Sequence, residues 1–152
     1  MRAELPHEIR VVTYNVHHGE GTDRKFDLKR IANLLLAVER HVVALQEVDQ
    51  GTKRASGVDQ PAELAKLTGM QVVFGRNLRF QGGGYGNAVL SRFPIKRHKN
   101  HLLPSLDAGE QRGVLEEQVA FAAVARHPRL KVFVCATHVN TGKAVVFTGE
   151  RL

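Results

Sequence analysis

The sequence predicts an α/β or α+β layered domain built around a mixed β-sheet, and three observations carry that expectation. Apolar runs of strand length alternate with helical patterns as far as Gly69. Beyond that point strands follow one another with no helix between them. The composition is that of an ordinary globular chain, with 152 residues, 43% hydrophobic and 24% charged. A chain of that length buries roughly 68–70% of its unfolded surface, so its core needs no disulfide or metal staple.

Residues 9–16, Ile-Arg-Val-Val-Thr-Tyr-Asn-Val, read as a strand with apolar residues on both faces, as expected for a strand covered on both sides. Asp27 is an N-cap for a helix over about 28–39, with Leu28, Ile31, Leu35 and Val38 as its buried stripe. Val42-Val43-Ala44-Leu45 is a second, short buried strand. Asp59 with Pro61 opens another helix, which turns Leu64 and Leu67 inward and stops at Gly69. Residues 71–75 and 86–91 are expected strands, with Gly82-Gly83-Gly84 as a loop between them. A long strand near 114–125 and another at 130–137 follow, and the tail after His138 holds at most one short strand. No internal repeat is present.

Lys and Arg number 22 against 15 Asp and Glu, a net charge of +7 that suits a phosphate-rich substrate or partner without setting specificity. One cysteine, Cys135, makes no intrachain disulfide and excludes a cysteine-based zinc finger. No apolar run reaches the ~18 residues of a membrane span. The start, from Met1 to Glu8, has no signal-peptide-type apolar stretch, so a soluble, cytoplasmic chain is expected, any targeting segment lying outside it.

The informative pattern is polar residues where apolar strands end. The first strand runs into Tyr14-Asn15 and His17-His18-Gly19, the second into Gln46-Glu47-Val48-Asp49, and the last into Thr137-His138. Strand ends beside loops hold functional groups rigidly. An amide, a carboxylate and an imidazole gathered there suit a hard divalent cation and a phosphate oxygen, because Mg²⁺ takes one or two carboxylates and keeps several waters. Each residue also has a plainer reading: Asn15 as a turn residue, Glu47 as a solvated carboxylate, His138 as a structural histidine. His17 and His18 are adjacent, so both reach one metal only from a loop, and they are read as loop residues near the site. No Walker loop and no Gly-x-Ser-x-Gly is present.

In order, the chain carries Thr13-Tyr14-Asn15-Val16, Leu45-Gln46-Glu47-Val48-Asp49, Gly86-Asn87-Ala88-Val89-Leu90-Ser91-Arg92, Glu110-Gln111-Arg112-Gly113 and Ala136-Thr137-His138. That series closely resembles the endonuclease/exonuclease/phosphatase superfamily across residues 9 to 138. Its bacterial branch looks nearest, through Arg54-Ala55-Ser56-Gly57-Val58-Asp59-Gln60. The resemblance implies a four-layer α/β sandwich of two mixed sheets flanked by helices, and Mg²⁺-dependent hydrolysis of a phosphate ester, with Mn²⁺ as substitute. It implies Glu47 as the direct metal ligand and Asn15 as a metal-site and catalytic residue orienting groups around it. It implies His138 as the imidazole on the scissile phosphate, with Asn87 and Arg112 lining the same cleft. An exposed, salt-bridging Arg112 is the plainer alternative. Arg54 and Asp59 follow the branch pattern without an assigned role.

The family's Gly-Asp-x-Asn and Ser-Asp-His motifs do not occur in residues 139–152. The expectation is therefore a single domain over 1–152, C-terminally incomplete, a partial sandwich whose phosphodiesterase turnover falls near background. Positioned acid–base catalysis alone is worth roughly 10²–10⁴ in rate. The substrate class is a phosphate ester: nucleic acid, phospholipid or sugar phosphate. Two other classes stand beside this one. The chain is alternatively a non-catalytic remnant that binds metal, phosphate or a partner chain, or, on weaker grounds, a basic nucleic-acid-binding module. Metal titration with a phosphodiester assay separates the first two, and salt dependence of DNA binding tests the third.

Overall fold

The computed structural model describes residues 9–105, 109–119, 133–138 and 143–148. The chain divides into two compact units, Pro6–Ala120 and Met1–Leu5 with Phe121–Leu152.

The larger unit begins with β1 (Val11–Asn15), a 3₁₀ turn at His17–Gly19 and helix α1 (Leu28–Ala37). Strand β2 (Val42–Gln50), helix α2 (Gln60–Thr68) and the strands β3 (Gln71–Phe80) and β4 (Gly83–Ser91) follow. The unit closes with the hairpin β5 (Ile95–Leu102) and β6 (Gly113–Val119). The first four strands form one mixed sheet in the order β1-β2-β4-β3, parallel between β1 and β2 and antiparallel elsewhere. The mixed α/β architecture is the one the sequence predicts.

Both helices start where their caps are written. The Asp27 carboxylate accepts from Arg30 N at 2.9 Å, and that of Asp59 from Ala62 N at 3.0 Å. Helix α2 stops at Gly69, whose φ of 68° places it in the left-handed region where glycine carries no Cβ penalty. Leu28, Ile31 and Leu35 from α1 and Leu64 from α2 pack on Val43, Leu45, Ala88 and Leu90 of the sheet, forming the core. Val38 is not part of that stripe: α1 ends at Ala37, the spacing breaks off, and Val38 is exposed.

Several expected elements differ in extent. Strand β1 is the sheet's edge and is not covered on both faces, for Val11 is 54% exposed while Val12 and Tyr14 pack on the core. Strand β2 runs five residues beyond Leu45, through the polar segment Gln46–Gln50. The glycine run is not a loop. Gln81 and Gly82 have φ of 46° and 84°, the two positive values of a primed hairpin turn, and Gly83 and Gly84 already belong to β4. Glycine is needed there because a Cβ on Gly83 would run into the backbone of Gln50–Thr52. Strand β5 was not anticipated, since Ile-Lys-Arg-His-Lys-Asn-His-Leu lacks any apolar alternation, and its pairing comes from β6.

Strand β6 accounts for the first part of the expected 114–125 strand, whose remainder lies outside the described residues. The smaller unit contains β7 (Phe133–His138) paired antiparallel with β8 (Lys143–Thr148). Residues 130–132 of the expected strand lie outside the described residues, and β8 is the one short strand expected in the tail. Among the described residues no helix is long and apolar enough to cross a membrane.

Candidate active site

The site is built on the end of β1 and the interior of β2, parallel neighbours with Asn15 opposite Gln46; Glu47 does not stand at a strand end as the sequence suggests, because β2 continues to Gln50. Between Leu45 and Val48 strand β2 advances three residues while β4 advances two, from Ala88 to Gly86. That β-bulge carries Glu47, whose φ of 58° is rare for a residue with a side chain. A bulge re-aims the side chain it carries, and here it turns Glu47 onto Asn15. Asn15 Nδ2 donates to Glu47 Oε1 at 2.9 Å, while Asn15 Oδ1 accepts from the His17 backbone N–H at 2.9 Å. A backbone N–H only donates, so it fixes which way the amide faces. Asn15 therefore orients the carboxylate through its NH₂ and has its oxygen engaged.

On the neighbouring strand β4, Tyr85 lies opposite Asp49 and Asn87 faces the bulge. Burial pushes the Tyr85 hydroxyl up to about 12, and the negative charges of Glu47 and Glu110 add to it, against Arg112 and Arg54. Tyr85 thus stays a neutral phenol through the physiological range. Arg112 pairs with Glu110 at 3.0 Å and is 45% exposed in its side chain, the salt-bridged arrangement of the plainer reading. Asn87 Nδ2 donates to Gly113 O at 2.9 Å, which pins β4 to the residue after Arg112. Asn87 thus places the Arg112 segment, and its amide nitrogen is occupied in doing so.

His17 and His18 form the 3₁₀ turn after β1, with ring centroids 4.3 Å apart. Burial lowers the His18 pKa, and the neighbouring Arg54 and His17 lower it further, against the opposing charges of Asp49 and Glu20. Arg54 itself makes a two-point contact with Asp49, Nε to Oδ2 at 2.6 Å and Nη2 to Oδ1 at 2.9 Å. Its guanidinium lies over the rings of Phe80 and Tyr85, 4.6 and 5.1 Å from their centroids. Tyr85, Asp49 and Gln60 had no assigned role in the sequence reading. Tyr85 stands directly before the Gly86-Asn87 motif, and that placement was the available signal.

The donor set tests the fit of a metal. Among the described residues no three His, Cys, Asp or Glu side chains cluster as a metal cage. One carboxylate held by an amide at a β-bulge matches Mg²⁺, which takes few protein ligands and keeps its waters. His138 ends β7 in the smaller unit.

A family model for the Endonuclease/Exonuclease/phosphatase family matches residues 12–145. The chain belongs to that family. Its curated relatives include the uncharacterized protein YbhP of Escherichia coli strain K12 and that of Shigella flexneri, each 32% identical over 115 residues. That alignment covers 70% of this chain and 45% of each relative, so the chain spans about half the length of the curated relatives it matches. The crystal structure of an endonuclease/exonuclease/phosphatase from Beutenbergia cavernae DSM 12333 superposes with TM-score 0.58 at 28% identity, covering 73% of this chain and 34% of that one. A family protein from Leptotrichia buccalis C-1013-b superposes with TM-score 0.54 at 15% identity over 74% of this chain and 50% of its own, a likeness of fold.

Proposed function

We propose that this endonuclease/exonuclease/phosphatase-family chain carries the metal-binding half of a Mg²⁺-dependent phosphate-ester hydrolase site, with Mn²⁺ as a substitute. The observation that carries the reading is the Asn15–Glu47 hydrogen bond at 2.9 Å, which joins the end of β1 to a β-bulge within β2. Glu47 would hold the cation through its carboxylate, and Asn15 holds that carboxylate in place. A bound Mg²⁺ supplies charge stabilisation to the phosphoryl oxygens and the leaving group, worth several kcal/mol in general. Arg112 offers a guanidinium fork to a phosphate once it shares or leaves Glu110. Asn87 sets the position of that segment through Gly113. The neutral Tyr85 hydroxyl is a donor that stays protonated. His138 enters this reading on the Thr-His motif alone, as the imidazole contacting the phosphate. The substrate is a phosphate ester, with nucleic acid, phospholipid and sugar phosphate as its candidate classes.

Calorimetric titration with Mg²⁺ and Mn²⁺ tests the reading. Wild type is expected to bind weakly, in the millimolar range, because a single carboxylate supplies the charge. Glu47→Gln is expected to bind neither ion. Equal affinity in wild type and Glu47→Gln would remove Glu47 from the site. Turnover of bis(p-nitrophenyl) phosphate is the companion assay: any Mg²⁺-dependent rate is expected to disappear in both Glu47→Gln and His138→Ala.

A further inference from the structure

The segment Arg54–Gln60 is a sequence motif to which the chemistry above assigns nothing, and it ends on a fully buried amide. Gln60, the first residue of α2, is 0% exposed. Its Oε1 accepts from the Asp49 backbone N–H at 2.9 Å, and its Nε2 donates to the His18 carbonyl at 2.7 Å. Asp49 lies two residues after Glu47, and His18 three after Asn15. A ring of hydrogen bonds follows from these contacts. It runs from Glu47 to the Asn15 amide, on to the His17 N–H, through the His17–His18 peptide to Gln60, and back through Asp49 to β2. Asp49 is itself anchored, 0% exposed and gripped by Arg54 at two points and by Thr52 Oγ1 at 2.6 Å.

The ring encloses three of the chain's left-handed non-glycine residues, His17 and His18 at φ 44° and Glu47 at φ 58°. Such backbone persists only where its surroundings over-determine it. The bond from Val16 N to Gln46 O, at 3.0 Å, ties the residue that starts the turn to β2 on the near side of Glu47. Gln60 adds a second tie, from the His18 carbonyl to Asp49 on the far side of Glu47.

We propose that Gln60 is a positioning residue for the site: it closes the ring that holds the Asn15 amide against the Glu47 carboxylate, with the Asp49–Arg54 pair as its anchor. This rests on the reading of Glu47 as the metal carboxylate, but the Asn15–Glu47 bond exists without metal and is measurable by itself. Partners that orient a metal ligand from behind typically change metal affinity by about 10–100-fold when removed.

The test is ¹⁵N NMR of the whole chain, free and titrated with Mn²⁺, in wild type, Gln60→Leu, Gln60→Glu, Glu47→Gln and Thr68→Ala. The Asn15 side-chain NH₂ signal reports the bond in the free protein, and Mn²⁺ broadening of the His17 amide reports occupancy. Gln60→Leu is expected to shift the Asn15 signal away from its wild-type position and to raise the Mn²⁺ concentration for half-broadening at least tenfold. Gln60→Glu keeps the acceptor for Asp49 N–H and loses the donor to His18, so a smaller change in the same direction is expected. Thr68→Ala, which loses a bond to Leu64 O within the same helix, is expected to lower stability while leaving both signals in place. A folded Gln60→Leu with wild-type Asn15 signal and wild-type Mn²⁺ response overturns the proposal. If Gln60→Leu does not fold, the same result in Gln60→Glu overturns it. Mn²⁺ broadening that survives Glu47→Gln defeats the metal reading instead, and the free-protein Asn15 signal still decides the role of Gln60.

Discussion

Removing the Arg54 side chain leaves a carboxylate with nowhere to go, and the cost follows from the contacts on either side of it. Asp49 is completely buried, and its two oxygens receive Arg54 Nε at 2.6 Å, Arg54 Nη2 at 2.9 Å and Thr52 Oγ1 at 2.6 Å. Breaking a buried ion pair by deleting one partner costs about 3–5 kcal/mol. The Arg54 side chain is 30% exposed, so water reaches the gap, and Thr52 still serves Oδ2; both place Arg54→Ala near the lower end, about 3 kcal/mol. Two lost ring contacts, to Phe80 and Tyr85, add about 0.5–1 kcal/mol each at a partly exposed site. At about 2–4 °C per kcal/mol for a chain of this size, the melting temperature should fall by about 10 °C.

Urea and thermal melts of Arg54→Ala, Asp49→Asn and the double variant measure this. In the double variant the buried charge is gone along with its partner, so it should be more stable than the sum of the two single losses by about 2 kcal/mol. Arg54→Lys keeps the charge without the planar fork and should fall between wild type and Arg54→Ala. If Arg54→Ala melts within about 2 °C of wild type, or the double variant is strictly additive, Asp49 does not depend on Arg54 and the anchor argument fails.

Glu117 gives a pH signature: burial pushes its carboxyl up to about 7, and Oε2 is buried without a hydrogen-bond partner. A carboxyl raised in the folded state stabilises it fully below the ordinary value of about 4.3 and loses that contribution as pH rises through about 7. Glu117→Gln should therefore be more stable than wild type at pH 8 and lose that advantage at pH 4; parallel stability curves across this range would refute the assignment. Gly86→Ala would press a methyl group onto the carbonyl of Gly75 and within 2.9 Å of Asn77 N, so it should cost about 2–3 kcal/mol in urea melts. A Gly86→Ala stability equal to wild type would show that β3 and β4 separate without cost.

What the sequence makes readable here is what residues decide locally. Asp27, Asp59 and Gly69 start and stop their helices through bonds that span three or four positions, and such bonds are written in the chain itself. The extent of β2 and the existence of β5 depend on partners far along the chain, in β4 and β6, and neither strand shows apolar alternation over the part that was missed. The site divides along the same line. Asn15 and Glu47 are readable as polar groups at strand ends, but their bond depends on parallel register between β1 and β2 and on one extra residue in a bulge. Asn87 illustrates the limit most directly: its motif suggests a group lining the phosphate cleft, and only the fold shows that its amide nitrogen reaches 26 residues along the chain to Gly113. Asp49, Thr52 and Gln60 look in sequence like the solvated residues that leave a strand and open a helix. Each is 0% exposed, and burial separates a network that holds a site from a loop that merely follows one. A polar residue pays for complete burial only when all its groups find partners, and the two ends of Gln60 find theirs on the two segments that carry the candidate metal site.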